Sequence, residues 1–168
     1  MTVTDTRPEP PMVAAEREQL AGFLDFLRGT VVMKAEGLTD EQARRPLVPS
    51  GLTTIAGLVS HLTYVEQYWF GVVFDGKPDA WTDRFKTDPD AEFTEGMTTP
   101  LPELIENYTQ ECARSRAVSA KFDLDATAKR NGEPVNLRWV LIHMIEETGR
   151  HAGHLDLLRE LLDGSTGE

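Results

Sequence analysis

A long amphipathic segment near the C-terminus, residues 139–162, constrains the fold more than any other part of the sequence. Its apolar side chains recur at the three- and four-residue spacing of one helical face: Val140, Leu141, Met144, Ile145, Leu155, Leu158 and Leu162. Asn136 is placed to cap the start of this helix, and Gly164 is placed to end it. A helix with one apolar face has to bury that face against other elements.

Three further segments have the same helical periodicity. They cover residues 13–36, residues 53–73 with Thr53 as the N-cap, and residues 99–122 with Pro100 at the first helical position. No convincing strand pattern competes with them. The sequence therefore predicts an all-α fold in which four long helices form a four-helix bundle, whose ligand sites are built inward from facing helices.

The predicted connections contain one short helix. Thr39-Asp40-Glu41-Gln42 matches a capping box, so we expect a short helix here that ends before Pro46. Residues 75–98 are rich in Asp, Pro, Gly and Thr and are predicted to form a loop, whose unusual length suggests a function. Residues 123–135 are predicted to be a polar connection with Asn131-Gly132 as a turn.

Length and composition narrow the class of protein. The length of 168 residues predicts a single domain over residues 13–168, and the polar residues and three prolines of residues 1–12 predict a flexible tail. The net charge of −11 argues against nucleic acid and an anionic membrane as partners. Cys112 is the only cysteine, which excludes an intrachain disulfide and fits a reducing compartment. Since the sequence has neither a signal-peptide pattern nor a membrane-spanning apolar run, we expect a cytoplasmic protein.

The four histidines of the chain lie in two of the predicted helices. His143, His151 and His154 share one helical stripe with Glu147, because their directions differ by no more than about 80°. Side chains four residues apart lie roughly 5 to 6 Å from each other, so Glu147 and His151 can approach one ion. A third ligand has to come from another helix, and His61 is the only histidine left to supply it. The pattern predicts a metal site between the second and fourth long helices.

Each of these residues also has a purely structural interpretation. A glutamate and a histidine four residues apart commonly form a surface pair, and His61 alone is typical of a hydrogen-bonded histidine at the edge of a core. His143 can simply pack near the end of the bundle. Arg159 and Asp163 fit an ordinary surface pair at least as well as a contact between Arg159 and an anionic substrate. Cys112 is expected to be buried and unreactive, because no neighbour in sequence lowers its pKa.

Several motifs resemble those of the DinB-like family, in its DUF664 branch, over about residues 16–167. They are Pro49-Ser50-Gly51, Gly57-Leu58-Val59 with His61-Leu62, Glu66 with Trp69-Phe70, and above all the stretch from Trp139 through His143, Glu147 and His151 to Asp156. The resemblance implies a DinB-like four-helix bundle with a divalent metal held by His61, Glu147 and His151. Many relatives have histidine in place of Glu147, whereas the mycothiol-dependent maleylpyruvate isomerases, which this chain also resembles, have glutamate. Relatives often have glutamine in place of His154, so His154 is open as a fourth ligand, a group that supports a ligand, or a substrate contact.

The same superfamily includes mycothiol and bacillithiol S-transferases, which use the metal to bind and deprotonate a small thiol. The resemblance thus implies a metal-dependent S-transferase with mycothiol as the thiol and an unknown electrophile as the second substrate, and a homodimer as the assembly. Two alternatives stay open: metal-assisted hydrolysis, and a stress-related or structural protein in which the metal is not catalytic. Zinc is the expected metal, although nickel, manganese and iron also suit two imidazoles and a carboxylate.

Overall fold

The computed structural model describes residues 7–166, which are mainly helical. In chain order the elements are α1 (Glu16–Ala35), α2 (Asp40–Ala43), α3 (Ile55–Glu66), which continues as a π-helical segment (Gln67–Phe74), α4 (Thr82–Thr87), α5 (Ala91–Gly96), α6 (Leu101–Ser119), β1 (Thr127–Arg130), β2 (Glu133–Asn136) and α7 (Leu137–Asp163). The four long helical segments are therefore confirmed. None of the helices in residues 7–166 has the length and apolar character needed to cross a membrane.

Residues 1–6 of the predicted flexible tail lie outside the described residues. Residues 7–12 form neither helix nor strand, and Pro11 lies close to α1 at Gly22, where an added Cβ would be 2.9 Å from Pro11 Cδ. The flexibility of the tail and the single domain stay predictions.

Side-chain caps set several helix ends where the sequence places them. The Thr39 hydroxyl accepts a hydrogen bond from the Gln42 N–H, and the Gln42 side chain accepts one from the Thr39 N–H, which completes the predicted capping box. Asn136 Oδ1 accepts from the Trp139 N–H at the start of α7. Gly164 ends α7 with a φ of 74°, a left-handed conformation that glycine adopts without strain.

The boundaries of three predicted helices are shifted by one to three residues. The first long helix occupies Glu16–Ala35 rather than residues 13–36. The cap of α3 is Thr54 rather than Thr53, because the Thr54 hydroxyl accepts the bond from the Gly57 N–H. Pro100 is the N-cap of α6 rather than its first helical residue, and α6 ends at Ser119 rather than near residue 122.

Two predicted connections contain regular structure, which corrects the all-α prediction to a mainly helical fold with a small sheet. The supposed loop of residues 75–98 includes α4 and α5. The polar connection includes the antiparallel hairpin of β1 and β2, with Arg130 paired to Glu133. Its turn residues Asn131 and Gly132 have φ values of 52° and 86°, as Asn-Gly turns of two-residue hairpins require. The sequence does not predict these strands because each has only four residues, most of these residues are polar, and β2 contains a proline.

The long helices bury two apolar clusters. One lies around Leu58, Leu62, Leu104, Tyr108 and Leu155, and the other around Leu24, Phe70, Val118, Leu141 and Met144. A buried ion pair joins α1 to α3: Arg28 Nε and Nη2 donate to the two carboxylate oxygens of Glu66 at 2.7 and 2.6 Å. The α3 and α7 helices contribute Leu62 and Leu155 to the same cluster and lie against each other.

Candidate metal centre

The three predicted ligands meet between α3 and α7. Glu147 Oε1 lies 3.1 Å from His61 Nε2 and 3.3 Å from His151 Nε2. One ligand atom from each residue lies within 4.8 Å of the other two. All three side chains are partly buried, with 13 to 17% of their surface exposed.

Local structure explains why these side chains converge. Glu147 and His151 are one turn apart on α7, and the residues following each of them, Thr148 and Ala152, are buried. His61 lies between the buried residues Ser60 and Leu62 on α3. Each ligand candidate is thus at the margin of a buried helical face, where it is shielded from bulk water but still open on one side.

The electrostatics of the site favour an ionised carboxylate facing two imidazoles. Hydrogen bonding to His151, and then to His61, holds the pKa of Glu147 well below its usual range. Two imidazole nitrogens and one carboxylate oxygen form a donor set that suits zinc and similar divalent ions. Three protein ligands also leave a coordination position open, as in catalytic rather than structural zinc sites. In spacing and chemistry, the residues present fit a divalent ion.

The second nitrogen of each imidazole faces away from Glu147. His61 Nδ1 lies 3.6 Å from Glu92 Oε1 of α5, and the His61 ring stacks on Phe93 with 4.4 Å between centroids and an 11° angle between planes. His151 Nδ1 lies 3.2 Å from His154 Nδ1. The sequence did not reveal Glu92 or Phe93, and its only hint of them was the unusual length of the predicted loop.

The remaining histidines are outside the group of converging ligand atoms found in the described residues. His154 contacts His151 on the side that faces away from Glu147. The pKa of His154 is lowered, mainly because the side chain is partly buried and also because of the charges of His151 and Arg150. His143 stacks on Trp139 at 5.1 Å between centroids and meets Trp69 edge-on at 4.9 Å, which agrees with its structural interpretation.

Two other candidates take structural roles. Arg159 forms the predicted ion pair with Asp163 at 3.0 Å, but its side chain is only 13% exposed and also donates to the carbonyl oxygens of Lys34 and Glu36 at 2.9 and 3.1 Å. It therefore joins α7 to the end of α1 rather than forming an ordinary surface pair. Cys112 is buried, and this burial raises the pKa of its thiol to about 12. Cys112 is therefore protonated at neutral pH and is unsuited to act as a nucleophile.

A cavity of about 470 Å³ lies between α7 and the hairpin. It is lined by Trp69, Trp139 and the hairpin residues Arg130, Asn131, Glu133, Pro134, Val135 and Asn136. Trp139 is half-exposed, and the Arg130 guanidinium carbon is 4.9 Å from the centre of the Trp69 ring. Trp139 precedes Glu147 by about two turns of α7, roughly 12 Å along the helix axis. The cavity is thus on the same helix as the ligand candidates.

Comparisons with known proteins agree with the helical architecture. A family model described as mycothiol-S-transferase matches residues 19–164. No curated protein sequence matches the chain. Among solved structures, a conserved protein from Enterococcus faecalis is similar, with a TM-score of 0.71 and 13% sequence identity over 91% of this chain and 100% of that one. At this identity the likeness concerns the fold alone.

Proposed function

The chain belongs to the mycothiol S-transferase family of DinB-like proteins, and from this premise we propose that it is a metal-dependent enzyme that joins a small thiol to an electrophile. Mycothiol is the expected thiol. The observation that carries the proposal is the convergence of His61, Glu147 and His151, whose ligand atoms lie within 4.8 Å of one another. The proposal includes a DinB-like four-helix bundle with the ion between α3 and α7.

In this proposal His61 Nε2, His151 Nε2 and a Glu147 oxygen hold the ion, with zinc preferred and nickel, manganese or iron as other suitable metals. Once bound, the ion supplies a Lewis acid that lowers the pKa of a thiol placed beside it. Glu147 keeps its negative charge and balances part of the charge of the site, since its pKa is lowered. His154 supports His151 from behind rather than acting as a fourth ligand, because its Nδ1 faces His151 Nδ1.

The nucleophile comes from a small molecule because the chain has no suitable thiol of its own. Cys112 is the only cysteine, and its thiol is buried with a pKa raised to about 12. The cavity beside Trp69 and Trp139 has a volume of about 470 Å³, within the range of small-molecule pockets, but none of the three proposed metal ligands lines it. We place the reaction in the cytoplasm, where low-molecular-weight thiols are kept reduced. Homodimer formation and the lack of nucleic-acid or membrane partners stay predictions.

The test is a thiol-transfer assay with zinc-loaded protein, mycothiol and 1-chloro-2,4-dinitrobenzene. The thiol sulfur forms a bond to the ring carbon, chloride leaves, the thiol proton passes to solvent, and the coloured thioether is recorded. We expect a rate above background for the wild-type protein and for His143→Ala, and a background rate for His151→Ala and for chelator-treated protein.

A background rate with mycothiol, bacillithiol and cysteine alike would contradict the transferase assignment. Zinc-dependent hydrolysis of p-nitrophenyl acetate without thiol transfer would favour the hydrolase alternative. A higher melting temperature with zinc, but no turnover of thiol or ester, would favour the structural alternative.

A further inference from the structure

The short helix α5 covers the side of His61 that faces away from Glu147. The Phe93 ring lies flat against the imidazole, 4.4 Å away, and Glu92 Oε1 is 3.6 Å from Nδ1. On the other edge of the ring, Nε2 is 3.1 Å from Glu147 Oε1. The two nitrogens of His61 therefore face two different carboxylates, one on α7 and one on α5.

A close backbone contact holds α5 in this place. A Cβ on Gly96 would lie 2.4 Å from the carbonyl oxygen of Ala56, so only glycine allows α5 to approach α3 so closely. Gly96 follows Glu92 by one turn of α5, and Gly57, next to Ala56, precedes His61 by one turn of α3. The contact of Gly96 with the turn at Gly57 thus places Glu92, one turn before Gly96, beside His61, one turn after Gly57.

The two facing groups are incompletely bonded. The Glu92 side chain is 13% exposed, and both its Oε2 and His61 Nδ1 are buried without a hydrogen-bond partner among the described residues. A buried polar group without a partner costs free energy. The 3.6 Å separation of Glu92 Oε1 and His61 Nδ1 is slightly longer than a hydrogen bond, so a shift of about 0.5 Å closes it.

The chemistry of imidazole connects this contact to metal binding. A neutral histidine that offers the Nε2 lone pair to an ion carries its proton on Nδ1. Metal-ligating histidines commonly donate this second N–H to a carboxylate, which fixes the tautomer and the ring orientation. Glu92 is the carboxylate that faces Nδ1 of His61.

We propose that Glu92 is a positioning residue: its carboxylate accepts a hydrogen bond from His61 Nδ1–H and keeps Nε2 directed at the metal position. The inference rests on the metal site of the proposed function, but it is independent of the reaction performed there. It also gives α5 a role, because the helix supplies both the stacking ring and the carboxylate that hold His61.

The first test measures zinc affinity by competition with a chromogenic chelator, in the absence of thiol and electrophile. Glu92→Ala is expected to raise the Kd for zinc by about 10- to 100-fold, the usual effect of losing such a partner. Glu92→Gln, which keeps an acceptor oxygen but not the charge, is expected to lie between Glu92→Ala and the wild type. Glu95→Gln is the matched control on α5, since Glu95 pairs with Arg84 and Thr99 and is expected to leave the Kd unchanged.

The second test separates positioning from a loss of folding. In zinc-loaded protein, ¹⁵N-edited NMR of the imidazoles is expected to show an exchange-protected Nδ1–H for His61 in the wild type and in Glu95→Gln. The same signal is expected to lose its protection in Glu92→Ala, although circular dichroism of the metal-free variants stays the same.

Wild-type zinc affinity in Glu92→Ala, or a His61 Nδ1–H that stays protected in it, would overturn the inference. Tight zinc binding without thiol transfer would contradict the proposed function but not the role of Glu92. Failure of the wild-type protein to bind zinc would overturn both.

Discussion

At the scale of single residues, each imidazole of the candidate site uses its two nitrogens differently. The Nε2 atoms of His61 and His151 both face Glu147, at 3.1 and 3.3 Å. Their Nδ1 atoms face Glu92 and His154, at 3.6 and 3.2 Å. His61, Glu147 and His151 thus point toward one another, while Glu92 and His154 face the opposite edges of the two imidazoles. This arrangement limits the rotation of the His61 and His151 rings.

Cys112 provides a prediction at the same scale. Burial raises the pKa of its thiol to about 12, so the thiol stays neutral at pH 9, where an exposed cysteine of pKa about 8.5 is mostly ionised. We expect the native protein not to react with iodoacetamide at pH 9, and one thiol per chain to react after unfolding in guanidinium. Mass spectrometry of the alkylated protein measures both. Rapid stoichiometric labelling of the native chain would contradict the burial of Cys112 and reopen it as a nucleophile.

At the scale of helices and strands, the sequence predicts the elements that have a long apolar face and misses those that do not. Residues 139–162 are predicted to be helical because their apolar periodicity extends over about six turns. The same helical prediction places Glu147 and His151 on one stripe. The α5 helix has only six residues, too few to be stable alone, and it depends on packing against α3. Glu92 and Phe93 could therefore not be assigned to the site without the tertiary structure.

Periodicity also does not predict which helices of the bundle pack against each other. The count of histidines and the family resemblance predict His61 as the third ligand, since periodicity does not say which helical faces meet. The sequence does not predict the hairpin for a different reason: it predicts the Asn-Gly turn, but the polar four-residue strands have no alternation of apolar and polar residues.

The contact between α5 and α3 is testable by adding one methyl group. In Gly96→Ala, the new Cβ would lie 2.4 Å from the Ala56 carbonyl oxygen, which forces the two backbones apart. We expect a loss of about 1 to 3 kcal/mol in the free energy of unfolding, measured by urea denaturation, together with weaker zinc binding.

The control for this variant is Gly153→Ala on α7, where an added Cβ has no neighbour within 4 Å among the described residues. Replacing a glycine inside an α-helix by alanine is expected to stabilise the protein by up to about 1 kcal/mol. If Gly96→Ala were as stable as the wild-type protein, α5 would not be held against α3 by this contact.

At the scale of the whole molecule, the helical fold is a scaffold that tolerates extensive sequence change. The Enterococcus faecalis protein has the same fold at 13% identity, so most side chains can vary while the helix packing persists. Function then depends on the few residues at the site rather than on the fold. In this chain those residues are joined to the core by the helices that carry them.

The buried ion pair of Arg28 and Glu66 links α1 to α3 and is expected to affect the stability of the whole molecule. Their side chains are 5% and 1% exposed, so Glu66→Ala leaves the buried Arg28 with only one carboxylate partner, the more exposed Asp25 at 2.9 Å. Glu66→Ala is expected to lower the free energy of unfolding by about 3 to 5 kcal/mol in urea denaturation.

The double variant Arg28→Met with Glu66→Leu should recover much of that loss, because it removes both charges. Lys86→Ala is the surface control: its pair with Asp83 is exposed, and we expect a change of less than about 1 kcal/mol. A loss for Glu66→Ala no larger than for Lys86→Ala would show that the buried pair does not hold α1 to α3.

The proposal that His61, Glu147 and His151 hold one divalent ion is tested by the metal content of the protein. Proteins loaded with zinc and freed of excess metal by gel filtration are compared by elemental mass spectrometry. We predict about one zinc per chain for the wild type and for His143→Ala, whose ring packs on Trp139 outside the site. We predict a large loss of zinc for His61→Ala, Glu147→Ala and His151→Ala. Equal zinc content in the wild type and in His151→Ala would contradict the account.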